Sequence, residues 1–251
     1  MLTFAAIAPH TLDLLKEPKK ATATRDALAL LQKSFSDAAL DTVLIISPHS
    51  TTLAKAFSVN LAQEYVLDLM ELGVKTPKRT VKSDPFTTMS IKKVRETDSD
   101  APVILASAAH VDYATAVPLY FVLPKDSATA IIPIGCAHQP LPVHYAFGET
   151  LKDVIMASTK RFGVIASATL THGKDGKNFD DRIVAALQSD EKAKDLLTVT
   201  DDESKKFDTC ALRPLAILAG ILHGLPWTYT PHAYTYTFDT GLLVASFALN
   251  E

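Results

Sequence analysis

Only two cysteines, Cys136 and Cys210, occur in this chain of 251 residues. So few exclude a disulfide framework and a CxxC-type zinc motif, and they fit a reduced, cytoplasmic protein. Positive charge is not in excess either. The 25 Lys and Arg against 28 Asp and Glu leave a net charge of −3, which argues against a nucleic-acid partner. The lysines of "EPKKATATR" and "IKKVRE" sit among acids and read as solvated faces. No apolar run approaches the roughly 20 residues a membrane-crossing helix needs, so no membrane partner is expected. The N-terminal segment lacks a basic start and a long apolar centre, and no signal peptide is expected. Internal repeats, long linkers and low-complexity segments are missing as well, which points to a single domain over residues 1–251.

What is present is an alternation of apolar runs and helical patterns. Strands are predicted at "LTFAAIA" (2–8), "TVLIIS" (42–47), "APVILAS" (101–107), "TAIIPIGC" (129–136), "RFGVIASAT" (161–169) and "GLLVASFAL" (241–249). Apolar residues at helical spacing predict helices at "TATRDALALLQKSFSDA", "VDYATAVPLYFVL", "HYAFGETLKDVIMAST" and "CALRPLAILAGILHG". Pro118 is expected near a helix end or at a kink. "FDDRIVAALQSDEKAKDLLTV" reads as one or two helices, and residues 73–100 read as irregular with short elements. Near-continuous apolar strands between helices predict an α/β fold whose central sheet is covered on both faces.

Five of the eight histidines fall at or just after predicted strands: His10, His49, His110, His138 and His172. The carboxyl ends of strands form the ligand crevice of open α/β sheets. A lone histidine after a strand is ordinarily a loop residue. The paired "APH" (8–10) and "SPH" (47–49) carry more weight, because proline before histidine restrains the backbone beneath a ring that must be aimed. His10 and His49 are therefore candidate metal ligands. His138, with the proline-rich loop around it, is expected at most to rim the pocket. His144, His223 and His232 are expected to be structural.

The chain resembles the class III extradiol ring-cleavage dioxygenases, the LigB-like superfamily, and the related Memo-like proteins. The resemblance rests on "APH" at 8–10, "SPHS" at 47–50, "AAHVDYATAVPLYF" at 108–121, "GVIASATLTHG" at 163–173, "CALRPLAILAGIL" at 210–222 and "TGLLVASFAL" at 240–249, in the family's order. It implies a three-layer α/β/α sandwich around a mixed, largely parallel sheet. It implies Fe(II) held by His10, His49 and a third ligand; a thiolate as that third ligand would favour zinc or copper as well. His172 matches the family's acid–base histidine, and His110 matches the histidine that faces substrate and oxygen. The implied partners are a small aromatic diol and dioxygen, and a homodimer is an option. Where these dioxygenases carry a glutamate before "LRP", this chain has Ala211. Cys210 instead matches a cysteine of the Memo-like branch. The third ligand is thus Cys210, or an acid such as Asp208 or Glu203, and Cys210 is otherwise a small core residue. Arg213 is a candidate for a substrate carboxylate but is expected to pair within the fold. Three functions follow: a ring-cleaving dioxygenase, a Memo-like metal-binding protein without ring cleavage, or a zinc hydrolase.

Overall fold

The computed structural model describes residues 1–96 and 101–250. Residues 97–100, within the stretch read above as irregular, and residue 251 lie outside the described residues. In chain order the first elements are β1 (Leu2–Ala8), α1 (Asp13–Lys16), α2 (Thr22–Asp37), β2 (Thr42–Ser47), β3 (Phe57–Asn60), β4 (Glu64–Leu67) and β5 (Arg79–Lys82). Then come α3 (Pro85–Val94), β6 (Val103–Ala106), α4 (Tyr113–Val122), β7 (Ala130–Gly135), α5 (Leu141–Met156) and β8 (Phe162–Ser167). The chain continues through α6 (Lys177–Ala186), α7 (Asp190–Ala193), α8 (Asp201–Lys206), α9 (Leu212–Leu222), β9 (Trp227–Thr237) and β10 (Thr240–Leu249).

Eight strands form one mixed sheet in the order β6-β3-β7-β2-β8-β1-β10-β9, and β4 pairs separately with β5. The centre, β7-β2-β8-β1, is parallel, and β10 and β9 add antiparallel strands at one side. Period-two alternation divides the core between the sheet's two faces. Ile7, Leu44, Ile46, Val164 and Leu243 pack with Phe147, Leu151, Ile217 and Ile221 of α5 and α9. Ala6, Val43, Ile45, Ile165 and Val244 pack with Leu28, Leu31, Phe35 and Leu119 of α2 and α4. This is the expected three-layer α/β/α sandwich.

The structure differs from the sequence reading in several places. "YTPHAYTY", where no strand was predicted, lies in β9, an eleven-residue edge strand. The register slips between Val244 and Ala245, so His232 is the bulged residue beside Pro231. Proline is tolerated at an edge bulge because no ladder N–H is needed there. Residues 73–96 are more ordered than expected. Asp84 caps α3 by accepting from the Thr87 amide at 3.1 Å, with Pro85 in the first turn. Pro118, expected near a helix end or at a kink, is the sixth of the ten residues of α4.

Candidate metal centre

β2, β8 and β1 are adjacent and parallel, so their carboxyl ends face the same side. His49 follows β2 and His10 follows β1, with β8 between them. Two strand spacings put their backbones about 9.5 Å apart. Both rings lean over the end of β8, and their centroids are 5.1 Å apart and nearly perpendicular. Cys210 enters from the turn that leads into α9. Its Sγ lies 3.3 Å from His10 Nε2 and 3.3 Å from the Thr169 carbonyl. One ligand atom from each of His10, His49 and Cys210 can be chosen so that all three lie within 4.8 Å of one another. This is the spacing of donors around one cation.

Fully buried neighbours hold His10. Its backbone N–H donates to Thr169 Oγ1 at 3.3 Å, and its Nδ1 is 3.0 Å from Ser167 Oγ. Ser167 donates its only hydroxyl proton to the Ala114 carbonyl at 2.5 Å. The serine oxygen must therefore accept from His10 Nδ1–H, which leaves the Nε2 lone pair facing Cys210. An imidazole whose second nitrogen is fixed in this way is the usual form of a metal-ligating histidine. Burial, then the nearby positive charge of His49 and His172 in their protonated forms, pushes His10 well below its ordinary pKa. His49 is lowered chiefly by desolvation, with Asp112 opposing. Both rings are thus ready to donate lone pairs at neutral pH. Burial raises the Cys210 thiol to about 12, so a cation would have to displace its proton.

Asp112 aims His49 from a distance in sequence. Its carboxylate accepts from Ser47 Oγ at 2.7 Å and from Thr115 N and Oγ1 at 3.0 and 2.8 Å. Ser47 Oγ in turn accepts from the His49 amide at 3.2 Å. One side chain thus caps α4 and braces the "SPH" loop. Tyr113 stacks on His49, with centroids 5.1 Å apart and planes 20° apart. Sequence reading did not single out Asp112, Tyr113, Ser167 or Thr169. The cap pattern Asp-x-x-Thr at 112–115 was the only available signal for the first. Asp112→Ala is expected to cost about 1 kcal/mol as a lost cap. It is also expected to weaken metal binding by about tenfold or more as a lost supporting bond. Thermal denaturation and metal titration of the same sample check both.

His172 is exposed on the loop after β8, with its Nδ1 3.4 Å from Thr240 Oγ1. It is close enough to influence the pKa of both His10 and His49. The loop rests on Asp180, which is fully buried and accepts from Tyr234 at 2.9 Å. Burial nevertheless raises the Asp180 carboxyl to about 6. Between about pH 4 and that value the folded state holds the extra proton, so this group lowers stability as pH rises through the window. Asp180→Asn is expected to remove that slope. Urea denaturation of both proteins across the window tests this.

His110 and His49 line one cavity of about 270 Å³ together with Asn60. A second cavity of about 270 Å³ lies on the Cys210 side and is lined by His49, Cys210, Arg213, Lys205, Asp201 and Asp208 among others. Arg213 does not pair within the fold as expected. Among the described residues its guanidinium has no hydrogen-bond or ion-pair partner, whereas Arg25, Arg79, Arg95 and Arg182 all have one. Glu203 is committed elsewhere, since it pairs with Arg182 at 2.9 Å and completes a capping box with Thr200. Asp208 is exposed on the cavity wall. His138 lies in an exposed loop beside the cavity-lining Gln139. His144 is buried, and burial lowers it to about 4. His223 pairs with Asp190, and His232 with Ser246.

No helix among the described residues is long and apolar enough to cross a membrane. A curated relative, Protein CA_C1420 of Clostridium acetobutylicum, is 21% identical over 244 residues, which is 90% of this chain and 52% of that protein. The chain thus spans about half the length of that relative. The crystal structure of the uncharacterized protein JW3007 from Escherichia coli K12 superposes with a TM-score of 0.69 at 13% identity, covering 98% of this chain and 99% of that one. That likeness concerns the fold. The family model described as the catalytic LigB subunit of aromatic ring-opening dioxygenase matches residues 8–245. That span runs from the strand before His10 into the last strand, and the chain belongs to this family.

Proposed function

We propose that this protein is an extradiol ring-cleavage dioxygenase in which His10, His49 and Cys210 hold a non-haem Fe(II) ion. The observation that carries the proposal is the convergence of three ligand atoms within 4.8 Å at the carboxyl end of the parallel strands. Two imidazoles and a thiol suit iron, and also zinc and copper. When bound, Fe(II) supplies the one-electron chemistry that lets dioxygen react with a ring diol.

The chain's own residues orient the substrate and handle protons. His172 takes a phenolic proton at Nε2 and returns one to the product, while Thr240 steadies its other nitrogen. His110 hydrogen-bonds a substrate hydroxyl from the far side of His49. The ring of Tyr113 forms a flat wall beside His49. The unpaired guanidinium of Arg213 favours a diol that also carries a carboxylate, which it can grip through two parallel N–H bonds.

Cys210 in place of a carboxylate favours a second reading, a Memo-like metal-binding protein without ring cleavage. Anaerobic loading with Fe(II), followed by a panel of diols and then air, separates the two. A yellow ring-opened product supports the dioxygenase. One equivalent of retained iron with no product across the panel moves the assignment to the second reading. Within the panel, carboxylated diols are expected to bind about tenfold more tightly than neutral ones, as for a hydrogen bond to a charged group. Arg213→Gln is expected to erase that preference. Equal binding of both classes to the unmodified protein would remove Arg213 from the site.

A further inference from the structure

A proline inside a helix needs a reason, and Pro118 stands six residues into the ten-residue α4. In an unbroken helix the amide N–H of residue 118 would donate to the carbonyl of Ala114, four residues earlier. Proline has no such N–H, so that carbonyl is left without its helical partner. A buried carbonyl demands a donor. Ala114 is fully buried, and its donor is Ser167 Oγ at 2.5 Å, from β8 on the neighbouring sheet. The same serine oxygen is 3.0 Å from His10 Nδ1. A hydroxyl has one proton, and the Ala114 carbonyl can only accept. The direction of every bond in the chain is therefore fixed from Pro118 outward: Ser167 donates to Ala114, and His10 Nδ1–H donates to Ser167.

We propose that Pro118 is a positioning residue for His10. By withholding an amide proton from Ala114 it commits the Ser167 hydroxyl, and so fixes His10 in the tautomer whose Nε2 lone pair faces His49 and Cys210. With an N–H at position 118, the carbonyl would turn toward the helix axis and the hydroxyl would share it. Ser167 would then be free to rotate and donate to His10 Nδ1. That places the ring proton on Nε2, where it blocks the lone pair and points at Cys210 Sγ, 3.3 Å away. The inference rests on the metal-site reading only for its consequence. The tautomer itself is a property of the metal-free chain.

The test is a proton–nitrogen correlation spectrum of the histidine rings in metal-free protein, assigned with His10→Gln. The unmodified chain is expected to show His10 protonated at Nδ1. Pro118→Ala is expected to shift population to the Nε2–H form and to weaken metal binding by about tenfold, while helix content and melting temperature hold or rise. Ser167→Ala keeps Pro118 and removes the acceptor from His10, at the added cost of leaving the Ala114 carbonyl without its donor; the same tautomer shift and weakening are expected. A purely structural proline would change stability and leave the ring spectrum alone. Finding His10 protonated at Nε2 in the unmodified chain would overturn the proposal, as would a Pro118→Ala spectrum identical to it. If the tautomer shifts as expected but no metal binds any variant, the positioning stands and the metal reading falls.

Discussion

Replacing His10 with alanine is expected to abolish stoichiometric metal retention, weakening it by roughly a hundredfold or more, beyond the usual loss for a supporting residue. Oxygen-dependent turnover should fail with it. His10 is 2% exposed, and its Nε2 faces the thiol of Cys210. Among the described residues, His10, His49 and Cys210 form the one group of three such donors close enough to share an ion. Two donors remain after the substitution, and no nearby acid replaces the lost one. The buried ring also leaves a cavity, so stability should fall by about 2 kcal/mol or more. His49→Ala separates the two effects, because His49 is exposed. It should lose the metal with little change in melting temperature. His138→Ala, in an exposed loop outside the donor group, should change neither.

The second large effect is expected where α5 crosses α9. A Cβ on Gly148 would stand 2.1 Å from the Ile217 carbonyl oxygen and 2.9 Å from Gly220 Cα. A Cβ on Gly220 would stand 2.0 Å from the Tyr145 carbonyl oxygen. These neighbours are backbone and cannot swing aside. Gly148→Val is therefore expected at or beyond the upper end of the overpacking range, about 3 kcal/mol. For a chain of this length that is a fall of roughly 6–12 °C in melting temperature. Because α9 begins two residues after Cys210, pushing the helices apart should also weaken metal binding. Gly224→Ala is the contrasting control. Its φ is +72° and a Cβ there meets nothing within 4 Å, so only a modest backbone cost is expected.

The central strands were legible because both of their faces are buried, as in "VLIIS" of β2 and "GVIAS" of β8, where apolar residues run without interruption. Strand β9 was not. It pairs only with β10 at the sheet edge, and its half-exposed Thr and Tyr residues, with Pro231 at a bulge, give no buried run to read. Helix α3 did carry a start signal, Asp84-Pro85, but its apolar residues Phe86, Met89 and Val94 are exposed while Asp84, Thr87, Thr88 and Arg95 are buried, so no apolar stripe marked the helix. At the site, "APH" and "SPH" announced two rings at strand ends, and the geometry unites them. The supports of those rings were invisible. Asp112 reaches Ser47 across 65 residues, and Ser167 reaches Ala114 across 53 and His10 across 157. Such bonds exist only once the sheet has brought the segments together. Arg213 was misjudged for a related reason. It was expected to pair within the fold, and it lines a cavity instead.

The central claim, that His10, His49 and Cys210 grip one ion, is tested most directly by titrating metal-free protein anaerobically with Co(II) and following its absorption. The expected result is saturation at one equivalent, with a sulfur-to-metal charge-transfer band that Cys210→Ser removes and tight binding that His10→Ala abolishes. Saturation without a sulfur band, or a spectrum that Cys210→Ser leaves unchanged, would contradict the account.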